Sequence, residues 1–196
     1  MTADHRGRVL RAATLAFVRH GYRTSVDDIV RRAGVARQTL YHHFPSKDAL
    51  FREVAGGLTT RVLVELQAGR EGLRASLIRF GLAYRRRVLG REGLAMFRSL
   101  TAEVPRFRAL ARALYAGGAG EMVRRLAGLL RAAMRAGELR RENPEFAAEQ
   151  FLSMLAGLER IKRLYGVPRK TEDESRRVAR IVDCFLRAFS PGEKSL

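Results

Sequence analysis

Residues 24–51 read T-S-V-D-D-I-V-R-R-A-G-V-A-R-Q-T-L-Y-H-H-F-P-S-K-D-A-L-F, and this stretch decides the fold. Val26, Ile29, Val30 and Ala33 fall on one face of a helix of barely two turns. Ser25 stands where its cap should be, with Asp28 three residues on, a capping box carrying Asp in place of Glu. Gly34 permits the backbone conformation that ends the helix, and Val35 returns to the core. A second short helix, about 36–43, buries Leu40 and turns Arg37, Gln38, Thr39, Tyr41 and His42 outward. Pro45 stops it, and Ser46 caps the helix that Lys47 opens. Two short helices joined by a tight turn are the helix-turn-helix pattern, here over 25–44, whose second helix lies in the DNA major groove.

The stretch closely resembles the DNA-binding domain of the TetR family of bacterial transcription regulators, whose core reads roughly T-x-x-D-I-A-x-x-A-G-V-S-x-x-T-L-Y-x-H-F-x-S-K-x-x-L. Asp28, Ile29, Ala33, Gly34, Val35, Thr39, Leu40, Tyr41, His43, Phe44, Ser46, Lys47 and Leu50 match it at fixed spacing. Two departures stand out. Val30 replaces an alanine where the two helices approach most closely, and Ala36 replaces the usual Ser or Thr, removing a side-chain cap and a phosphate contact.

Outside this stretch, composition narrows the class. The chain has 196 residues, 46% of them hydrophobic, enough for one good core or two small ones. Hairpin signals are missing and helix punctuation runs throughout, so the expected fold is all-α. No apolar run reaches 18 residues, and Met1 to Gly21 shows no cleavable signal pattern, so a soluble, cytoplasmic protein without membrane contact is expected. The net charge of +18 favours an anionic partner, nucleic acid first. Residues 1–55 hold ten Lys or Arg and five acids, whereas residues 72–137 hold fourteen arginines and three acids. Most of the excess therefore lies outside the helix-turn-helix. The single cysteine, Cys184, lies between Val182 and Phe185 in an apolar helix pattern and reads as a packing residue.

Taken in order, residues 6–20 form a helix with Val9, Leu10, Ala13, Ala16 and Phe17 inward, ended by Gly21. The helix from Lys47 extends to about Gln67, weakened by Gly56 and Gly57, a candidate hinge or a pair of tolerated surface glycines. Helices follow over 73–89 and 92–103, then a long one over 107–135 with a kink available at Gly117-Gly118. Asn143-Pro144 opens a helix to about Tyr165, with Asn as cap and Pro in its first turn. Thr171 and Glu174 form a capping box for a last helix, about 172–189. About nine helices in this order match the usual layout of the resembled family. They divide into a DNA-binding domain over 2–62 and a C-terminal effector-binding and dimerisation domain over 63–196.

The candidate DNA contacts are Thr24, Ser25, Arg37, Gln38, Thr39, Tyr41, His42 and Lys47. Arg37 suits guanine O6 and N7, Gln38 suits adenine N6 and N7, and Thr39 suits a thymine methyl or a phosphate. The resemblance implies backbone contacts for Thr24, Ser25, Tyr41, His42 and Lys47. His42 and His43 point about 100° apart on a helix and have no third ligand near, so no metal is expected. The resemblance also implies a homodimer on double-stranded DNA carrying a palindromic operator. The helices over 144–165 and 172–189 would pack with their copies, and both are apolar on more of their surface than one neighbour covers. It further implies a small-molecule effector inside the C-terminal helices. Phe80, Tyr84, Phe97, Phe107, Tyr115, Phe151, Met154 and Leu158 are the candidate lining, although each is individually a normal core residue. The arginine excess, with Arg85, Arg86 and Arg87 consecutive, points to an amphipathic anion. No G-x-S-x-G, H-E-x-x-H, Walker, C-x-x-C or dinucleotide motif is present, which argues against an enzyme and for no cofactor. Repression released by an effector is the leading expectation. A DNA-bound structural protein acting on a protein partner is the alternative.

Overall fold

A computed structural model of the chain describes residues 4–63, 66, 71–105, 108–168 and 172–191. The described residues are helical with no strand: α1 His5–His20, a 3₁₀ turn Gly21–Arg23, α2 Val26–Ala33, α3 Arg37–His43, α4 Lys47–Leu63, α5 Gly72–Val88, α6 Arg91–Glu103, α7 Arg108–Gly117, α8 Ala119–Arg135, α9 Pro144–Leu164 and α10 Glu174–Ala188. The all-α expectation holds. The long helix expected over 107–135 is two helices, α7 and α8, separated at Gly118, the second glycine of the pair where a kink was expected.

The chain forms two compact units that do not follow chain order: residues 1–59 with 91–119, and residues 60–90 with 120–196. In the first, Phe17, Ile29, Leu40, Phe44, Leu50 and Phe51 make the core, and Met96 of α6 and Leu114 of α7 complete it. The Phe51 ring meets those of Phe17 and Tyr22 edge to face, with centroids 4.6 and 5.1 Å apart. Tyr22, in the 3₁₀ turn, thus ties α1 to α4.

The second unit is built on a file of rings. Phe80 of α5 stacks on Phe151 of α9 at 6.3 Å, Phe151 meets Phe185 of α10 at 4.8 Å, and Phe185 meets Phe189 at 4.6 Å. Gly81 lets α5 come close, since a Cβ there would stand 2.8 Å from the Val178 side chain and 3.1 Å from that of Leu155. Leu77, Leu126, Leu130 and Ala147 fill the remainder.

Local signals fix several ends. Asn143 Oδ1 accepts the Phe146 amide at 2.9 Å, with Pro144 in the first turn of α9, as its sequence requires. The start of α10 differs from expectation. Asp173 is the cap, its carboxylate accepting the Ser175 amide at 3.0 Å, while Thr171 lies outside the described residues. An Asp one residue before the first helical position does the work assigned to the threonine. Cys184 is also a correction: it is exposed, while Val178, Val182 and Phe185 are the side chains that α10 buries. The α4 backbone runs unbroken through Gly56 and Gly57, where a Cβ would meet nothing within 4 Å. The boundary between the two units falls three residues later, between Thr59 and Thr60.

Candidate nucleic-acid interface

The interface is assembled by two buried side chains. Ile29 of α2 and Leu40 of α3 are fully buried, which fixes the rotation of both helices and leaves the opposite face of α3 to solvent. The Ser25 hydroxyl accepts the Asp28 amide at 3.0 Å and donates to the Asp28 carboxylate at 2.9 Å, closing the cap of α2. The hydroxyl, joined by the Arg31 guanidinium, holds the Asp28 carboxyl below the usual carboxylate range. Gly34 adopts φ +61°, the left-handed turn expected between α2 and α3, and its carbonyl accepts from Arg8 at 2.8 Å. Ala36 heads α3 with no side-chain cap.

From α3, Arg37, Gln38, Tyr41 and His42 are exposed and Thr39 is half-buried. Arg37 Nη1 donates to Asp27 at 2.9 Å, and its guanidinium lies 5.7 Å from the centre of the Tyr41 ring. The Tyr41 phenol and then the Asp27 carboxylate raise the Arg37 pKa above its ordinary value, so this side chain stays cationic. His43 is half-buried with its ring against Phe44 at 6.4 Å, whereas His42 faces outward. Among the described residues no three His, Cys, Asp or Glu side chains cluster as metal ligands.

The flanking candidates divide. Lys47, at the start of α4, rests over the Tyr22 ring at 4.3 Å. The Tyr22 phenol donates to Asp48, and burial followed by that carboxylate pushes its pKa well above the usual phenol range. Ser25 is exposed at the front of α2. Thr24 stands apart from the exposed candidates. Its side chain is buried, and its hydroxyl lies 3.1 Å from the carbonyls of both Ala16 and Gly21, locking the 3₁₀ turn onto α1. That hydroxyl is committed to the backbone of α1 and the 3₁₀ turn.

The candidate effector residues that the structure describes stand in different surroundings. Phe80, Tyr84 and Phe151 are buried and stack on one another, with Phe80 and Tyr84 5.8 Å apart. Met154 and Leu158 are exposed on the outer side of α9, beside a groove of about 690 Å³ that Ile181 and Cys184 of α10 also line. Phe97 and Tyr115 belong to the other compact unit, where both are exposed. Phe107 lies outside the described residues. Helical spacing marks residues that face away from water, and it does not separate a cavity wall from a filled core.

One residue of consequence escaped sequence reasoning, and a second was noticed without its partners. Asp27 could have been noticed as a second acid beside the one the cap uses. Arg85 of α5 had been singled out only as one of three consecutive arginines, and what escaped was its partners: its guanidinium is 1% exposed, Nε donates to Glu174 at 2.7 Å and Nη1 donates to the Leu155 carbonyl. Its position one turn after Gly81 and two after Leu77, on the stripe that α5 buries, was the available signal.

Similarity to known proteins bears on this geometry. Residues 9–54 match the family described as bacterial regulatory proteins, tetR family, and residues 75–191 match the C-terminal domain of AefR-like transcriptional repressors. Over 52 residues the chain is 44% identical to the HTH-type transcriptional activator FasR of Mycolicibacterium smegmatis, a stretch covering 26% of this chain and 24% of that protein. The match therefore spans about a quarter of that relative. The solved flavonoid-responsive regulator FrrA is 32% identical, with a TM-score of 0.78 over 97% of this chain and 100% of that one. A TetR-family transcriptional regulator from Mesorhizobium loti has a TM-score of 0.79 over 96% of this chain and 98% of that one. At 24% identity it speaks to the fold alone.

Proposed function

Because the chain belongs to the TetR family of bacterial regulatory proteins, we propose that it acts as a homodimeric repressor that reads a palindromic operator and leaves it when a small effector binds. The observation that carries the DNA-reading half is the outward row of α3, where Arg37, Gln38, Tyr41 and His42 are exposed on a helix pinned by Leu40. A guanidinium and an amide at the front of such a helix have the donor and acceptor geometry for base edges in the major groove.

Dimerisation is supported by the apolar surface that α9 leaves uncovered. Met154, Leu158 and Ile161 follow one another at helical spacing and are all exposed, Leu158 at 69%, with Ile181 and Cys184 across the groove. A second copy of this chain would cover them and set two heads on a two-fold axis. Half-sites would then lie about 34–36 Å apart, or a multiple of that.

For the effector we retain an amphipathic anion, supported by the fourteen arginines over residues 72–137. The name of FrrA adds weakly acidic aromatic amphiphiles to the compounds worth screening. FasR is named an activator, so the sign of regulation is itself an outcome to measure.

Selection from a random duplex pool tests the reading, with excess competitor DNA and ~0.15–0.2 M salt so that a charge of +18 does not hold every duplex. Enrichment of an inverted repeat is the expected result. A pool that remains random would refute sequence-specific reading.

A further inference from the structure

Two acids open α2, and they have different surroundings. Asp28 serves its own helix: the Ser25 hydroxyl and Arg31 are its partners. Asp27 reaches ten residues along the chain, from α2 to α3, and takes the Nη1 donor of Arg37 at 2.9 Å. Both members of the Asp27–Arg37 pair are more than half exposed, at 66% and 58%. An ion pair that open to water contributes little to stability. An acid on a surface that must approach phosphates is also unfavourable for affinity, because it offsets one of the cations that drive non-specific binding.

We propose that Asp27 determines specificity at the DNA interface by positioning the Arg37 guanidinium for base reading and by disfavouring binding through phosphates alone. The inference rests on the DNA-reading role given above. A bidentate contact to guanine needs the planar fork of Arg37 held at one angle, and a long side chain free in solvent loses rotamer freedom to reach it. Asp27 on one side and the Tyr41 ring, 5.7 Å away, restrict that freedom before DNA arrives. The pair occupies Nη1 only, whereas guanidinium carries five N–H donors, so a two-donor contact to O6 and N7 remains available. In a chain of net charge +18, where attachment to any duplex competes with recognition, an acid at the reading head also widens the gap between right and wrong sites.

The test compares the wild type with Asp27→Asn, Asp27→Glu and Arg37→Ala on two probes: the duplex enriched by the wild type and a random duplex of equal length. Asp27→Asn should bind the random duplex about 3-fold more tightly and lose about 10-fold in the ratio of specific to random affinity, the size of one good base contact. The lost discrimination should fall at the base pair that Arg37→Ala also relaxes, and Asp27→Glu should retain most of it. An unchanged ratio for Asp27→Asn, or a loss spread evenly over all operator positions, would overturn the proposal while leaving sequence-specific reading intact. A wild type that enriches no duplex would overturn both.

Discussion

The buried guanidinium of Arg85 and the carboxylate of Glu174 meet at 2.7 Å, joining the last turn of α5 to the first turn of α10. Arg85 Nη2 finds no acceptor among the described residues, so Glu174 supplies the carboxylate that the guanidinium hydrogen-bonds. Removing the acid strands a buried cation, while replacing the cation by a long apolar side chain removes the desolvation problem with it. Glu174→Ala should therefore destabilise the protein toward the lower end of ~3–5 kcal/mol, since the carboxylate side is partly exposed, and Arg85→Met should cost ~1 kcal/mol. Urea denaturation of the two variants decides. A larger loss for Arg85→Met would mean that the guanidinium itself contributes net stability.

Thr24 gives a second contrast, between holding the fold and touching DNA. Its hydroxyl is buried against the Ala16 and Gly21 carbonyls, so Thr24→Val should cost ~1–2 kcal/mol in chemical unfolding. Affinity of the folded variant for DNA should stay within about 2-fold of wild type. A tenfold loss of affinity at full stability would return Thr24 to the interface.

Acid should weaken the head through Asp28. Its folded pKa lies below the unfolded value, so the stabilisation is complete above the unfolded value of ~3.9 and disappears as pH falls through the folded value. Asp28→Asn should be less stable than wild type at neutral pH, and the two unfolding curves should converge as pH drops below about 4. Curves that stay equally separated from pH 7 to pH 3 would show that the cap contributes through shape and not charge.

Arg37 and Lys47 should differ in kind. Arg37→Ala is expected to relax preference at one operator position, at ~1–3 kcal/mol of discrimination. Lys47→Ala should weaken all duplexes alike and lower the slope of log affinity against log salt by about 1. A uniform loss from Arg37→Ala would refute base reading by that residue.

The uncovered face of α9 makes the assembly prediction. Leu158→Glu places a charge at the most exposed apolar position of the Met154–Ile161 row. Light scattering should show a monomer where the wild type is a dimer, and operator affinity should fall at least 100-fold because two half-sites no longer bind together. A variant that stays dimeric would move the interface elsewhere.

What could be read from the sequence was whatever is decided within a few residues. Ser25, Gly34, Asn143 and Pro144 act on their immediate backbone, and each does in three dimensions what its spacing implied. Thr24, Arg85 and Cys184 depend on which neighbours arrive from distant segments. Thr24 needs Ala16, eight residues back, and Arg85 needs Glu174, 89 residues on. Cys184 sat in an apolar run, but a run names no side, and α10 places it outward. Phe97 and Tyr115 likewise carried no local sign that α6 and α7 join the first compact unit.

That joining bears on how the protein is made. The reading head has Met96 and Leu114 in its core, so its last internal pieces are synthesised after an intervening stretch that belongs to the other unit. A nascent chain paused anywhere in residues 60–90 carries α1–α3 complete in sequence yet without its closing layer. On the ribosome, competence to bind DNA should thus appear late and abruptly, once α7 has emerged.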